Sequence, residues 1–308
     1  MQGPHNGWLL EHLVVAEAGP ETSIEDLVRI SVGSGAARLF EHEPGVRASD
    51  AEAVHQARVA TRRLRSDLKT LEPWVEPSRA DRLRSELGWA GGLLGAVRDQ
   101  DVLIAHLEDL GDELELGANP IAEVTGPLRT ERGLRHAELV ERLGQPRFLR
   151  LRRDLLDANA APPLADGIDG TGAARSTLRK LVRGSWRRVA RAIDRLDPDP
   201  GDEQLHEIRK RAKRARYAAE LSAGVLDGDA EEFADRLADL QDVLGELQDA
   251  VVAHDRLTAI VTDDLSVAGA FAAGRLVGRV SEIRADARIR WREAWDAARS
   301  KRLRRWLR

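Results

Sequence analysis

Cysteine is missing altogether from these 308 residues, tyrosine occurs once, as Tyr217, and aromatic residues make up 4% of the chain. Without thiols there is no disulfide framework and no thiolate metal centre, although that absence does not fix a compartment. The scarcity of aromatics argues against single-stranded nucleic acid as a partner, since such sites place a stacking platform at about one per base. Long apolar runs are also lacking, and nothing approaches the roughly 18 residues that a membrane span requires. Near the N-terminus Glu11 and His12 interrupt the one apolar candidate and no basic segment precedes it, so neither a membrane span nor a signal peptide is expected.

What is present is charge. Charged residues are 32% of the chain and hydrophobic ones 42%, a composition that suits helices better than sheets. The length allows one large or two modest domains. A net charge of -4 conceals separated signs: residues 175–195 hold eight cations against Asp194 alone, and residues 227–242 hold seven acids against Arg236. Most cations are arginine, whose planar fork of donors grips phosphate. A high-GC genome also enriches arginine, so the preference by itself carries little weight.

Two stretches share one pattern. His55-Gln-Ala-Arg58-Val-Ala-Thr-Arg62-Arg63-Leu-Arg65 and His206-Glu-Ile-Arg209-Lys210-Arg-Ala-Lys213-Arg214-Ala-Arg216-Tyr217 each set cations three, seven, eight and ten residues after a histidine. At about 100° per residue, the histidine and the cations at +3, +7 and +10 fall within about 80° of helical arc. Each stretch therefore makes one cationic stripe, which Lys69 extends in the first. The opposite side is apolar: Ala57, Ala60, Leu64, Leu68 and Leu71 in one, Ile208, Ala212, Ala215 and Ala219 in the other. The stripes are expected to point away from their own cores. A solvated face normally mixes signs, because like charges three or four residues apart repel by a few tenths of a kcal/mol, about 0.2–0.5 per pair. Only Asp67 and Glu207 interrupt these two runs. The pattern predicts an anion site.

Turn and cap signals divide the chain. Residues 1–22, rich in Gly and Pro with an apolar patch from Trp8 to Val15, read as a flexible tail or the end of another domain. Thr22 or Ser23 caps a first helix that Pro44-Gly45 stops near His42, and Asp50 caps a second that ends near Pro73. A third helix runs from about Ser78 to Leu110. A fourth region, from Pro120 to Asn159, breaks at Gly144 and Pro146, and residues 160–172 read as a linker. Another helix spans Ala173 to Leu196 and stops at Asp-Pro-Asp-Pro-Gly before the His206 helix. Leu94-Gly95-Ala-Val97-Arg98-Asp99 then recurs as Leu244-Gly245-Glu-Leu247-Gln248-Asp249. The histidines lie 151 positions apart and these second motifs 150, a near-constant offset that predicts a duplicated multi-helix unit over 24–159 and 173–306.

At these four motifs the chain resembles the CHAD family, the conserved histidine α-helical domain. Family members carry His-x-x-Arg-Val-x-x-Arg-Arg-Leu-Arg and His-x-x-Arg-Lys-x-x-Lys-x-x-Arg-Tyr helices, matched from His55 and His206. Their Leu-Gly-x-φ-Arg-Asp segment is matched at Leu94 to Asp99, and more loosely at Leu244 to Asp249, where Gln248 replaces arginine. The resemblance covers about residues 24–306. It implies an all-α, internally duplicated fold of two four-helix units related by a pseudo-twofold axis around a basic central pore or groove that binds inorganic polyphosphate. Family members associate with polyphosphate granules, and many carry a CYTH triphosphatase domain, of which no complete copy is present here. Granules or polyphosphate-metabolising enzymes are the further partners implied, with a cytoplasmic location.

The residue chemistry agrees. Polyphosphate is a flexible line of anions without bases, so its binder needs repeated Arg and Lys, and released counterions drive much of the binding. The residues expected to contact it are His55, Arg58, Arg62, Arg63, Arg65 and Lys69 in the first stripe, and His206, Arg209, Lys210, Lys213, Arg214, Arg216 and Tyr217 in the second. Lys180, Arg183, Arg187 and Arg191, opposite the apolar side of their helix, extend the site; Arg175 and Arg195 at its ends read as solvated. Trp186 falls on that apolar side and is expected in the core, whereas Trp74 and Trp89 sit by a helix break and a Gly-rich turn.

For His55 and His206 three roles are open: phosphate contact, a structural bond to a backbone carbonyl, and metal ligation, which surrounding cations disfavour. The cationic field should keep both imidazoles neutral until a phosphate arrives. His5, His12, His42, His106, His136 and His254 show no constellation. Gly95 and Gly245 are expected to let helices approach closely, with Arg98, Asp99 and Asp249 supporting the basic helices. Metal-mediated binding by Asp99 and Asp101 is the weaker alternative, because the second copy lacks the second carboxylate. No cofactor is implied. The reading is of a binding domain without chemistry of its own; a phosphohydrolase or kinase built on His55 or His206 would need metal-holding carboxylates that the sequence does not visibly supply. A nucleic-acid or protein-scaffold module is the other alternative.

Overall fold

The computed structural model describes residues 10–226, 229–260 and 265–307, so His5 and Trp8 lie outside the described residues. The chain runs α1 (Ile24–Arg47), α2 (Ala51–Thr70), α3 (Pro77–Glu113), α4 (Ala118–Leu143), α5 (Pro146–Ala160), α6 (Arg175–Ile193), α7 (Asp202–Leu226), α8 (Asp229–Ile260) and α9 (Val267–Ala298), closed by a short 3-10 helix (Arg302–Leu307). Among the described residues there is no strand, only the isolated bridges Ser23 to Ala173 and Val75 to Leu164. No described helix is long and apolar enough to cross a membrane.

The starts of these helices follow from side-chain caps. Ser23 Oγ accepts from Asp26 N at 3.1 Å, and Asp50 Oδ1 accepts from Glu52 N at 2.8 Å and Ala53 N at 3.3 Å, each satisfying donors that a helix leaves free at its first turn. Pro77 opens α3, where its missing N–H is not needed.

Two boundaries differ from expectation. α1 does not stop at Pro44 but continues through it to Arg47. Packing overrides propensity there: Val46 is buried in the core, and the Arg47 guanidinium reaches Glu43 and the Leu143 carbonyl. Nor is there a turn at Trp89, since α3 runs unbroken through Gly88, Gly91, Gly92 and Gly95, with the Arg147 guanidinium 4.3 Å from the Trp89 ring. The expected N-terminal tail is not free from residue 10 onward. Leu13 is buried, and Asn159, itself fully buried, clamps Val14 by accepting from its N–H at 2.8 Å and donating to its carbonyl at 3.1 Å.

Four apolar cores hold the helices. The first joins α1 to α5 through Phe40, Leu64, Leu87, Leu139 and Phe148. The second joins α6 to α9 and the 3-10 helix; in it Trp186 stacks on Trp295 at 5.0 Å and meets the edge of Phe233 at 5.4 Å. The first group thus has five helices rather than four, because the chain breaks between Leu143 and Pro146. The third core brings Leu107 and Val124 against Leu257 and Leu276, and the fourth brings Leu27, Leu71 and Trp74 against Leu178, Val225 and Ala230. These last two cores span both groups. α2 packs on α7 in between.

Candidate functional site

α2 and α7 bury the alanine and leucine side of each register. Ala57, Ala60, Leu64 and Leu68, and Ile208, Ala212, Ala215 and Ala219, are all 2% exposed or less. That fixes the rotation of both helices and leaves their histidine and cation faces turned to one cavity of about 410 Å³. α2 contributes His55, Arg58 and Arg62 to its wall; α7 contributes His206, Arg209 and Lys213. These are the residues at 0, +3 and +7 in each stretch. α3 adds Arg98, Asp99 and His106, and α8 adds Gln248 and Asp249.

The two glycines of the second motif have a different task from the one expected. Each lies under a guanidinium rather than against a neighbouring backbone, and at Gly245 the approach is close enough to need the missing side chain. Arg58 Cζ lies 3.6 Å from where a Gly95 Cβ would stand, and Arg209 Nη2 3.2 Å from the corresponding point on Gly245. Arg58 Nη1 then donates to Asp99 Oδ1 at 2.5 Å and reaches the Gly95 carbonyl at 3.5 Å. Asp249 faces Arg209 without a hydrogen bond close enough to match. Asp99 holds Arg58 by an ion pair, whereas Asp249 acts on Arg209 through charge alone, so the two groups of helices differ here.

Among the described residues that line the cavity the charge is unbalanced, with Arg58, Arg62, Arg98, Arg209 and Lys213 against Asp99 and Asp249. Burial, then the Arg62, Arg209, Arg58 and Arg216 guanidiniums, pulls Lys213 down to about 7. Burial likewise lowers Arg209, against the pull of Asp249. Burial and Arg98 lower His55; burial, Lys210 and Arg209 lower His206, so both imidazoles are biased toward the neutral form. Burial in the concave wall raises Asp249 despite Arg209, although its side chain still touches solvent. Arg62 Nε, Arg209 Nε and His206 Nδ1 are buried with no hydrogen-bond partner among the described residues. An anion entering the cavity would satisfy donors and relieve repulsion together.

Other expected site residues lie elsewhere. Arg63 turns to the far side of the α2–α7 contact, where it donates to Glu220 at 2.9 Å and lies 3.8 Å from Asp67. Arg216 also pairs with Glu220, at 2.9 Å. Lys69 is neutralised by Glu72, and Lys210 by Glu207 at 2.7 Å. Arg65 lies across Gly88 on α3, and Arg214 is exposed. Tyr217 is no platform for a base: its ring is buried under the Arg62 and Arg216 guanidiniums, 5.8 and 5.1 Å away. Lys180, Arg183, Arg187 and Arg191 do not line the cavity, and none has an ion pair among the described residues. Arg175, at the head of α6, donates to the Val225 carbonyl at 3.2 Å.

His106 is the residue that sequence reasoning set aside. It stands seven positions after Asp99, two helical turns further along the same face of α3, and that spacing was the available signal. Val59, Val102, Leu103 and Val252 complete the wall, so the cationic site has an apolar flank.

The CHAD domain model matches residues 32–258 of this chain. Two curated relatives from Mycobacterium tuberculosis, the uncharacterized protein MT2285 of strain CDC 1551 / Oshkosh and the uncharacterized protein Rv2226 of strain ATCC 25618 / H37Rv, are each 31% identical over 247 residues. Those residues are 78% of this chain but 46% of each relative, so the chain spans about half the length of the curated relatives it matches. Among solved structures, PptA from Streptomyces chartreusis superposes with a TM-score of 0.72 at 21% identity, covering 89% of this chain and all of that one (100%). The CHAD domain from the plant Ricinus communis superposes with a TM-score of 0.69 at 25% identity, covering 89% of this chain and 95% of that one. With its all-helical architecture, its two histidine helices and a family match over residues 32–258, the chain belongs to the CHAD domain family.

Proposed function

We propose that this protein binds inorganic polyphosphate in the cavity between α2 and α7, without chemistry of its own, and that binding targets it to polyphosphate granules in the cytoplasm. The observation that carries this reading is the charge imbalance: five cations from three helices share one cavity with two carboxylates, and Lys213 has no ion-pair partner among the described residues. Such a cluster costs the folded chain free energy until an anion arrives. The repeated unit is a line of phosphates rather than a nucleotide, because the wall offers guanidiniums and imidazoles but no exposed aromatic face. In the same reading, α1–α4 and α6–α9 are copies of one unit about a pseudo-twofold axis, and the cavity is the basic groove between them. Asp99 is engaged by Arg58 and Asp249 faces Arg209, an arrangement that favours anchoring of cations over phosphoryl transfer.

The experiment is a titration with length-defined polyphosphate across a salt series, using the wild type and Arg62→Glu, with a short single-stranded oligonucleotide as competitor. Affinity should fall steeply with salt, Arg62→Glu should weaken it by about tenfold or more, and the oligonucleotide should compete poorly at equal charge. Equal affinity for both polymers at every salt concentration would exclude the polyphosphate assignment.

A further inference from the structure

Lysine is rare here: the chain has five, Lys69, Lys180, Lys210, Lys213 and Lys301. Lys69 and Lys210 are exposed and ion-paired, and Lys180 and Lys301 are exposed on the surface. Of the five, Lys213 is the one that lines the cavity, half-buried, among the guanidiniums of Arg58 and Arg62 from α2 and Arg209 from its own helix. Among the described residues no carboxylate stands within ion-pairing distance of its amine; Asp249 and Asp99 in the same wall face arginines.

A cluster of cations does two things at once. It removes the proton from the amine in its midst, which makes lysine a nucleophile, and it offers forked donors on which a phosphate docks. With its pKa brought to about 7, a large share of Lys213 holds a free lone pair near neutral pH, where an ordinary lysine has about one amine in a thousand unprotonated. A nucleophile beside a phosphate seat fits a small molecule in which phosphate is bonded to an electrophilic carbon.

We propose that Lys213 is a modification site for acyl phosphates, the phosphate seated on Arg58, Arg62 and Arg209 while Nζ takes the acyl group. The Nζ lone pair attacks the acyl carbonyl carbon, and the bond from that carbon to the phosphate oxygen breaks. The electron pair leaves with the phosphate, which also takes the proton that the amine loses. The products are an amide on Lys213 and hydrogen phosphate, with no redox change and no further reactant. Acylation removes the ammonium from the cavity and so lowers its affinity for anions. This inference rests on the polyphosphate reading in one respect, that both ligands use the same arginines.

The test treats the full chain with acetyl phosphate at neutral pH and follows each lysine by peptide mass spectrometry. Lys213 should be acetylated at least about tenfold faster than Lys180 or Lys301, because its larger neutral fraction outweighs its lower basicity. Excess polyphosphate should protect Lys213 and leave Lys301 unchanged. Arg62→Gln should slow Lys213 by about threefold or more without affecting Lys301, and the preference for Lys213 should shrink with a phosphate-free donor, the N-hydroxysuccinimide ester of acetate. Even labelling of the five lysines, or a preference for Lys213 indifferent to Arg62→Gln and to the donor, overturns the proposal. Slow labelling of Lys213 in a chain that binds polyphosphate tightly overturns it too and leaves the polyphosphate reading intact. Fast, phosphate-dependent labelling in a chain that does not bind polyphosphate upholds it and removes that reading instead.

Discussion

The Arg209 guanidinium lies across Gly245, its Nη2 3.2 Å from the point where a side-chain carbon on that glycine would stand. Arg58 holds the same relation to Gly95 at 3.6 Å. At Gly245 the missing side chain on one helix sets the reach of an arginine on another, whereas at Gly95 a methyl would meet Arg58 at ordinary contact distance.

Gly245→Ala should therefore separate binding from stability. The new methyl meets the end of a flexible side chain, which can move, while alanine in a helix interior gains about 0.5–1 kcal/mol over glycine. The melting temperature should hold or rise slightly. Polyphosphate affinity should fall about threefold to tenfold as Arg209 is displaced but not lost, roughly the worth of one ordinary hydrogen bond. An unchanged affinity would mean that the seating of Arg209 is irrelevant to binding.

Affinity should also depend on pH through Lys213. In the free protein this amine titrates near 7; beside a polyanion it returns toward the ordinary lysine range. Between the two values the complex holds a proton that the free protein lacks. Affinity therefore rises as pH falls from about 10 to about 7, by at most about tenfold per unit. Lys213→Arg keeps its charge throughout and should flatten this window in titrations at fixed ionic strength. The lowered histidines, His55 and His206, should add a second rise only below the ordinary imidazole range, as binding protonates them. If wild type and variant share one slope above pH 7, the linked proton belongs to another group.

Chain length should matter through the cations outside the cavity. Replacing Lys180, Arg183, Arg187 and Arg191 together by Gln should leave tripolyphosphate affinity within about threefold, because none of them lines the cavity, but should lower long-chain affinity and its salt slope by up to about four. Arg62→Glu should weaken both ligands. Equal losses for short and long chains in the α6 variant would place that helix inside the short-chain site.

Asp67 offers a stability prediction. It is 4% exposed, Ser31 Oγ donates to it at 3.3 Å, Arg63 is its nearest cation at 3.8 Å, and burial pushes it up to about 7. A raised carboxylate contributes stability below its unfolded value and loses it as pH rises through the folded one. Asp67→Asn should thus gain on the wild type between pH 5 and pH 8, reaching about 1–3 kcal/mol at pH 8. Thermal melts at the two pH values check this; a gain that does not grow with pH excludes an ionised Asp67 as the cause.

Helices, caps and apolar faces were legible in the sequence because they depend on local periodicity: Ser23 and Asp50 cap where expected, and Ala57, Ala60, Ile208 and Ala212 are buried where the register places them. The first turns of the two stripes were legible for the same reason, since 0, +3 and +7 share a face. What the sequence hid depends on which helix crosses which. Periodicity groups Arg63 with the other cations, but Glu220, 157 positions away on α7, neutralises it. The role of Gly245 was hidden because a glycine near a helix crossing and a glycine under a guanidinium read alike. Pro44 reads as a stop, and only the burial of Val46 beyond it explains why the helix continues.

The two outer cores, one built from Leu107, Val124, Leu257 and Leu276 and the other from Leu27, Trp74, Leu178 and Val225, each draw residues from both groups of helices. Neither group can therefore melt while the other stays native without exposing two apolar faces, each worth several buried side chains at about 1.5–3 kcal/mol apiece. A chain that reads as two successive units should unfold in one cooperative transition, and neither unit alone should be a stable domain. The cavity between the cores then exists only when the whole chain is folded, so any anion it holds stabilises both units at once.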